Sequence, residues 1–368
     1  MLMKLFETRL IERKERGNLR TLSHPDVQLL DFSSLDYLGI ARSTRFQDLF
    51  LQEFENLKQW GSTGSRLLTG NSSIIEQVEE EISYFHGFEE GLLFHSGFIA
   101  NCGLLSVLSR ESTTVIYDSY IHASIHAGIR LGDGEAYPFR HNDLNHLEWR
   151  LQKRSHLGTC FICIESIYST DGSIAPLKEI CNLAEKYGAH IILDEAHSTG
   201  LYGKEGRGLS TQEGLDGRLF AKVVTFGKVL GVQGAIVLGS SQLKQLLINF
   251  AAPFIYTTAP TPILLAAIRT SYRLFPSMHE ERAQLRERVR LFHEGLNTSS
   301  KSQVQPIFIR GNQEVQRAQE RLQKEGFDVR ALKSPTVPQG GECLRITLHS
   351  FNDREDTLRL INCIQKVL

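Results

Sequence analysis

The sequence has no excess of charge of either sign. Its 368 residues include 41 lysines and arginines and 42 aspartates and glutamates, which gives a formal net charge of −1. Proteins that bind nucleic acids or anionic membranes usually carry a basic excess. The composition therefore predicts no nucleic-acid partner and no membrane partner.

Long apolar runs are also missing. No segment approaches the ~18 consecutive apolar residues that suggest a membrane-spanning helix. The N-terminus, Met1-Leu2-Met3-Lys4, becomes charged too early for a signal peptide. These two absences predict a cytoplasmic location.

Cysteines are few, with six in the chain, and only Cys160 and Cys163 have C-x-x-C spacing. Both lie in the apolar run 159–165, which has no second cysteine pair nearby. Buried, small apolar side chains are the favoured interpretation, and a zinc or redox site is the alternative. We expect no bound metal and no requirement for an oxidising compartment.

Strand-like and helix-like segments alternate through the first two thirds of the chain. Apolar strand-like runs occur at 91–94, 114–117, 159–164, 190–193, 223–226 and 235–238. Helical patterns lie between several of them, for example at 74–85 and 176–186. This order predicts an α/β fold with a mostly parallel sheet that is covered by helices on both faces.

A smaller α+β segment follows a charged helical stretch at 264–296. Its pattern predicts strands at 304–309, 327–331 and 344–348 and a helix at 313–324. Near the N-terminus a helix precedes a short strand at 28–32, and the segment 61–72 is expected to be a loop rich in glycine and hydroxyl groups. We predict an N-terminal segment at 1–40, a large domain at 41–265 and a small C-terminal domain at 266–368.

Polar residues follow the predicted strands of the large domain. In open parallel sheets, ligands bind beyond the carboxyl ends of the strands. His122 follows the second strand, Glu165 the third, Asp194 the fourth, and Thr225 and Lys228 end the fifth. We therefore expect these side chains to meet at one edge of the sheet.

Lys228 ends a β-branched run and is preceded by Gly227. Desolvation at such a place disfavours the ammonium form and makes a neutral, nucleophilic amine accessible, as an imine with an aldehyde cofactor requires. The alternative is an ordinary surface lysine at a strand end. A P-loop is excluded, because that pattern needs a glycine at Lys222 and a hydroxyl at Val229.

Asp194 has three interpretations: metal ligand, general base, or partner of a buried cation. A metal site with His197 lacks a third ligand at usable spacing. A carboxylate that keeps a pyridine nitrogen protonated fits better, because the ring then accepts electrons from a carbanion. His122 is placed to stack on such a ring, and a hydrogen-bonded core histidine is its structural alternative.

Three motifs carry a resemblance to a known family. The segment 194–200 reads Asp-Glu-Ala-His-Ser-Thr-Gly, 206–208 reads Gly-Arg-Gly and 225–228 reads Thr-Phe-Gly-Lys. Together they resemble the α-oxoamine synthases, which are pyridoxal-phosphate enzymes of fold type I, and the similarity covers essentially the whole chain. Segments 61–67, 335–338 and 344–348 resemble the members of the family that serve biotin biosynthesis.

The resemblance implies a role for particular residues at the cofactor. Lys228 is expected to hold pyridoxal phosphate through an imine and to move the α-proton, while Asp194 pairs with the pyridine nitrogen and His122 stacks on the ring. Further cofactor contacts are expected from His197 and Ser169 near the ring oxygen, and from Thr225, Gly97 and Phe98 at the phosphate.

The resemblance also implies a homodimer with the site at the subunit interface. In that arrangement Thr257 or Thr258 is expected to reach the phosphate of the neighbouring subunit. Arg345 is expected to bind a substrate carboxylate, and Arg20 is the candidate for the distal carboxylate of the acyl chain.

The reaction that the resemblance implies is a decarboxylative condensation of L-alanine with a pimeloyl thioester, carried on an acyl carrier protein or on coenzyme A. Leu35 stands where relatives usually have asparagine, which leaves the amino acid open. One alternative is a sister synthase that uses glycine or serine with another acyl thioester. A catalytically silent partner subunit is the other. A nucleotide-binding oxidoreductase is disfavoured because no G-x-G-x-x-G fingerprint follows a strand.

Overall fold

A computed structural model describes residues 2–22 and 24–367 of the chain. Its α-helices are α1 (Leu2–Glu15), α2 (Thr44–Glu55), α3 (Ser73–His86), α4 (Gly97–Leu108), α5 (Ala123–Leu131), α6 (Leu144–Arg154), α7 (Leu177–Tyr187), α8 (Leu209–Gln212), α9 (Ser241–Phe250), α10 (Ala252–Ile255), α11 (Pro262–Leu274), α12 (His279–Leu296), α13 (Asn312–Lys324) and α14 (Arg354–Val367). Its strands are β1 (Leu30–Asp31), β2 (Glu90–Phe94), β3 (Thr113–Asp118), β4 (Glu135–Phe139), β5 (Thr159–Glu165), β6 (His190–Asp194), β7 (Ala221–Thr225), β8 (Ala235–Gly239), β9 (Val304–Phe308), β10 (Phe327–Asp328), β11 (Arg330–Leu332) and β12 (Cys343–Thr347).

Seven strands within the described residues form one large sheet in the order β2-β8-β7-β6-β5-β3-β4. The strands from β7 to β4 pair in parallel, whereas β8 runs antiparallel to both of its neighbours, β7 and β2. The predicted mostly parallel sheet is therefore confirmed. Because β2, β3, β5, β6 and β7 run in one direction, their carboxyl ends lie at the same edge of the sheet.

Two apolar cores cover the two faces of this sheet. One contains apolar residues of α4, α5 and α9, and the other contains apolar residues of α6 and α7. Cys160 lies in the second core and Cys163 in the first, because residues three apart in a strand point to opposite faces. The prediction of buried, small apolar side chains is confirmed, and this orientation separates the two sulfur atoms.

The chain divides into two compact units. Unit 1 comprises the described residues up to Leu38, the segment Ser169–Ser173 and the described residues from Glu280 onward, and unit 2 comprises Gly39–Tyr168 and Ile174–His279. The large sheet belongs to unit 2. Within unit 1, β11, β12 and β9 form an antiparallel sheet, and β1 pairs in parallel with β10. The division at residues 40 and 265 stays a prediction.

Several predicted elements differ from the structure. The helical stretch predicted at 264–296 consists of two helices, because the turn Phe275–Ser277 separates α11 from α12. Pro276 has no amide hydrogen to donate, so it favours a break there. The segment predicted as a loop at 61–72 contains a π-helical turn at Arg66–Gly70.

Strand β4 and helix α14 are among the elements that the sequence did not predict. Strand β4 contains Pro138, which suits its place at the edge of the sheet, where one side of a strand needs no ladder partner. Helix α14 was missed at the end of the chain. Across residues 2–22 and 24–367, no helix has the length and apolarity to cross a membrane.

Candidate active site

The parallel strands bring the predicted polar residues to one edge of the large sheet. Glu165 ends β5 and pairs in register with Asp194, which ends β6. Asp194 in turn pairs with Val223 of β7, two residues before Thr225. The prediction that polar groups meet at this edge is therefore supported by the strand register itself.

Asp194 is buried, and both of its carboxylate oxygens accept hydrogen bonds from N–H groups. Oδ1 accepts from the main-chain N–H of Ala196 at 2.9 Å, and Oδ2 accepts from the side-chain amide of Asn101 at 2.8 Å. N–H donors favour the ionised form of a carboxylate. The arrangement suits a fixed negative charge at the sheet edge.

His122 lies at the N-terminus of α5 and its ring remains exposed to solvent. Its Nδ1 accepts the main-chain N–H of Ser124 at 3.2 Å and lies 2.8 Å from the Ser124 hydroxyl. Its main-chain N–H donates to Glu165 Oε1 at 2.5 Å. Desolvation and the charge of Lys228 lower the pKa of His122, against the opposing effect of Asp194. The imidazole is therefore neutral near pH 7.

Glu165 is a second buried carboxyl group beside Asp194. Burial, with the Asp194 charge adding to it, raises the pKa of Glu165 to about 8, although the charge of Lys228 and the His122 amide act in the opposite direction. Two adjacent carboxylates repel each other, so one of them keeps its proton. Glu165 is consequently protonated near pH 7.

Lys228 lies half-buried in the turn that joins β7 to β8. Its charge lowers the pKa values of both His122 and Glu165, as expected of a side chain close to both groups. The predicted amine, the predicted carboxylate and the predicted stacking ring thus surround one region within unit 2.

The first turn of α4 lies directly against the end of β7. A Cβ atom added at Gly97 would come within 2.3 Å of Thr225 Cγ2, so only glycine permits this approach. The buried Thr225 Oγ1 has no hydrogen-bond partner among the residues that the structure describes. A buried hydroxyl without a partner is unusual in a native protein and is therefore available to a ligand.

The turn after β6 is anchored from behind by a buried ion pair. Lys222 Nζ lies 2.7 Å from Glu195 Oε2, and both side chains are fully buried. Ser210 donates its main-chain N–H to Glu195 Oε1 at 2.8 Å. A Cβ at Gly208, whose φ is +119°, would come within 1.8 Å of Glu195 Oε2, which explains the Gly-Arg-Gly motif. This cluster holds the backbone that carries Asp194.

One residue at the site, Asn101, was not found from the sequence. Asn101 and Ser124 connect Asp194 with His122 through hydrogen bonds. The side-chain amide nitrogen of Asn101 lies 2.8 Å from the Asp194 carboxylate and 3.0 Å from the Ser124 hydroxyl. Asn101 is the one amide side chain in the otherwise apolar or small-residue helix α4. That isolated polar residue was a usable signal, but the rule that selects groups after strands does not reach the interior of a helix.

The remaining predicted site residues lie in both units, and their roles stay predictions. In unit 2, His197 is buried in the turn after β6, and Thr258 lines a small cavity together with His95. Phe98 contacts the His122 ring edge to face, with centroids 6.4 Å apart.

Unit 1 contains the other three predicted site residues. Ser169 lies in the segment Ser169–Ser173, and Arg345 lies on β12 with its Nε atom lacking a partner among the described residues. Arg20 donates a hydrogen bond to Thr336 Oγ1 at 2.9 Å. The binding of a substrate carboxylate by Arg20 stays a prediction.

The large sheet has a lysine, a buried aspartate and a histidine at its carboxyl edge. This combination of topology and side chains is typical of one class of enzyme. The chain belongs to the aminotransferase class I and II family, whose sequence model matches residues 27–364. The fold is that of fold type I enzymes in this family, as predicted.

Three similar proteins narrow the comparison. An 8-amino-7-oxononanoate synthase from Emericella nidulans is 37% identical over 96% of this chain and 92% of its own length. A serine palmitoyltransferase from S. paucimobilis, with PLP bound, superimposes with a TM-score of 0.91 at 26% identity, covering 100% of this chain and 98% of the other. An 8-amino-7-oxononanoate synthase from Francisella tularensis gives a TM-score of 0.78 at 28% identity, covering 93% and 98%.

Proposed function

We propose that this chain is an α-oxoamine synthase that condenses L-alanine with a pimeloyl thioester, with loss of carbon dioxide, to give 8-amino-7-oxononanoate in biotin biosynthesis. Two of the three similar proteins described above bear the name of that product. The observation that carries the proposal is the meeting of Lys228, Asp194 and His122 at one edge of a sheet in a chain so similar to these synthases. At the coarser level, the chain is a pyridoxal-phosphate-dependent enzyme of the α-oxoamine synthase type.

The cofactor is pyridoxal phosphate, and the residues present fit it. The phosphate requires hydrogen-bond donors, and Thr225 Oγ1 has no other partner among the described residues beside the first turn of α4. The ring nitrogen requires an anionic partner, and Asp194 is a buried carboxylate held by N–H donors. The aldehyde requires an amine, which Lys228 supplies.

When bound, pyridoxal phosphate supplies an electron-accepting ring that stabilises negative charge on the α-carbon of the amino acid. Asp194 keeps the proton on the ring nitrogen, which strengthens that effect. His122 offers a neutral, exposed ring for stacking. Lys228 Nζ would hold the aldehyde carbon of the bound cofactor, and the same amine would accept and return the α-proton of the amino acid. Glu165 holds its proton near pH 7 and so adds no second negative charge beside Asp194.

Product analysis tests the substrate assignment. The purified holoenzyme is incubated with pimeloyl-coenzyme A and, in separate reactions, with L-alanine, glycine or L-serine. We expect the alanine product to dominate in mass spectra, with carbon dioxide and free coenzyme A formed in equal amounts. A preference for serine with palmitoyl-coenzyme A would overturn the assignment.

A sister synthase is the second candidate, because the serine palmitoyltransferase superimposes with the higher TM-score and covers the whole chain. By the resemblance, Leu35 stands where relatives usually have asparagine, so we propose that this position influences the choice of amino acid. The same product assay with Leu35→Asn measures whether that position changes the choice of amino acid. Replacement of pimeloyl-coenzyme A by a pimeloyl carrier protein separates the two possible carriers.

Roles for the unit 1 residues and for a second subunit form part of the proposal. Arg345 binds the carboxylate of the amino acid, Arg20 binds the distal carboxylate of the acyl chain, and Ser169 contacts the ring oxygen together with His197. The chain acts as a homodimer in which Thr258 reaches the neighbouring phosphate. Light scattering of the eluted protein measures the oligomeric state. The cytoplasmic location stays a prediction.

A further inference from the structure

We infer that Asn101 is a positioning residue that couples the carboxylate of Asp194 to the imidazole of His122, and that it fixes His122 in the tautomer with its hydrogen on Nε2. The inference deepens the proposed function, because it concerns the same site. It rests on four hydrogen bonds among Asn101, Asp194, Ser124 and His122, and none of these bonds involves a cofactor.

Asn101 donates both hydrogens of its side-chain amide. Nδ2 lies 2.8 Å from Asp194 Oδ2 and 3.0 Å from Ser124 Oγ. A carboxylate accepts hydrogen bonds only, so the group that faces Asp194 must be the NH₂ and not the carbonyl of the amide. This chemistry fixes the orientation of the Asn101 side chain.

The direction of the remaining bonds follows from that orientation. Ser124 Oγ accepts from Asn101 and has its own hydrogen left to donate, and His122 Nδ1 lies 2.8 Å away. The main-chain N–H of Ser124 points at the same nitrogen at 3.2 Å. Nδ1 therefore meets two donors and must present its lone pair. The ring hydrogen is consequently on Nε2.

The cost of Asn101 supports a functional reason for its presence. The side chain is buried in helix α4, whose other members are apolar or small, and its Oδ1 has no partner among the described residues. A buried amide oxygen without a partner is destabilising. An apolar residue of similar size would avoid that cost, so the two donated bonds are the feature that distinguishes asparagine here.

Nuclear magnetic resonance of the cofactor-free protein tests the inference. With ¹⁵N-labelled histidine, the shifts of Nδ1 and Nε2 report both the tautomer and the pKa of each ring. The spectrum of His122→Gln assigns the signals of His122. Wild type is compared with Asn101→Leu, which keeps the side-chain volume and removes both donors. Ser106→Ala is the matched control, because Ser106 lies on the same helix and donates to the Gly103 carbonyl.

In wild type and in Ser106→Ala we expect the shifts of a neutral ring with its hydrogen on Nε2. In Asn101→Leu we expect a mixture of tautomers and a His122 pKa raised by about one unit, because the Ser124 hydroxyl is then free to turn and accept. The titratable groups around His122 in all of these proteins are Asp194, Lys228, the neighbouring His126, and Glu165, which accepts the main-chain N–H of His122. Unchanged His122 shifts in a folded Asn101→Leu protein would overturn the inference.

Ser124→Ala provides the test if Asn101→Leu does not fold. It removes the hydroxyl that links the two side chains but leaves the main-chain N–H on Nδ1, so we expect the same change at His122 with a smaller size. An unaltered tautomer and pKa of His122 in this variant would also contradict the hydrogen-bonded connection from Asn101 through Ser124 to His122.

Cofactor affinity gives a second readout. We expect Asn101→Leu to bind pyridoxal phosphate about tenfold more weakly than wild type, because Asp194 loses a charge-assisted hydrogen bond that orients it. An equal dissociation constant in the two proteins would contradict the positioning role. If neither protein binds the cofactor, the proposed function fails, whereas the His122 spectra still decide the inference.

Discussion

Two lysines six residues apart show how differently one side chain is used in this protein. Lys222 lies within β7 and is fully buried, with its ammonium group 2.7 Å from Glu195, 2.8 Å from the Arg207 carbonyl and 3.0 Å from the Ser210 hydroxyl. Lys228 follows the strand and is half-buried, and its charge lowers the pKa of the exposed His122. The first lysine is a structural cation, and the second lies where a ligand can reach it.

The carboxylates beside the two lysines differ in the same way. Glu195 is neutralised by Lys222 in a closed cluster. Asp194, the adjacent residue, accepts two N–H bonds and faces the region that contains Lys228 and His122. Alternation along the chain turns neighbouring side chains to different surroundings. Two adjacent residues at the end of β6 therefore have different roles: Glu195 pairs with Lys222 in the closed cluster, and Asp194 belongs to the candidate active site.

Lys228→Ala is the variant for which we expect the largest loss of turnover. We expect turnover to fall by roughly 10³-fold or more, because the amine that binds the cofactor and carries the α-proton is lost. The free energy of unfolding of the cofactor-free protein should change little, since Lys228 lies outside the closed cluster. Turnover is measured by product formation, and stability by urea unfolding. Activity within a few-fold of wild type would exclude the assigned role.

Lys222→Met tests the other lysine. Removal of one partner from a buried ion pair leaves Glu195 uncompensated, so we expect the protein to lose about 3–5 kcal/mol of stability. The double variant Lys222→Met with Glu195→Gln removes the remaining charge and should recover part of that loss. Urea unfolding of the cofactor-free proteins measures both. A single variant as stable as wild type would show that the cluster contributes little.

Glu165→Gln tests how the carboxyl group beside Asp194 makes the free energy of unfolding depend on pH. The folded-state pKa of Glu165 is about 8 and its ordinary value is 4.5, so between those values the folded protein holds a proton that the unfolded chain has released. The Glu165 contribution is therefore present at acidic pH and is lost as pH rises toward about 8, at about 1 kcal/mol per pH unit.

We expect unfolding curves of wild type and Glu165→Gln, taken from about pH 6 to about pH 8, to differ by that slope, with the variant the less pH-dependent protein. Other groups titrate in both proteins, so their contributions cancel when one pH profile of the unfolding free energy is subtracted from the other. Parallel pH profiles would show that Glu165 is ionised in the folded state.

Thr225→Ala should have the smallest effect. Its hydroxyl has no partner among the described residues, so we expect the free energy of unfolding of the cofactor-free protein to change by less than about 0.5 kcal/mol. Affinity for pyridoxal phosphate should fall about tenfold, because a donor to the phosphate is lost. Thr225→Ser keeps the hydroxyl and should retain affinity. Equal affinity in the alanine variant would remove Thr225 from the phosphate site.

The sequence predicts the sheet and one part of the site for the same physical reason. Apolar strands that alternate with helices imply a parallel sheet, and a parallel sheet places the groups after its strands at one edge. Lys228, Asp194 and His122 were found in this way. Strand β4 was missed because it lies at the sheet edge and contains Pro138, so it lacks a continuous apolar run.

Other features depend on contacts that no local pattern contains. The pairing of Lys222 with Glu195 joins β7 to the turn after β6, and the register of these two strands brings the residues together. Glu165 was noted as a residue after a strand, but its raised pKa follows from burial beside Asp194. Asn101 reaches Asp194 from the interior of a helix 93 residues earlier in the chain.

Reduction of the holoenzyme with borohydride tests the central claim most directly, because it converts an imine between a lysine and pyridoxal phosphate into a stable secondary amine. Trypsin normally cleaves after Lys222, Lys228 and Lys244. A modified Lys228 blocks the middle cleavage, so we expect a single labelled peptide spanning 223–244. A label on Lys222 or on another lysine, or no label at all, would contradict the assignment of Lys228 as the residue that holds the cofactor.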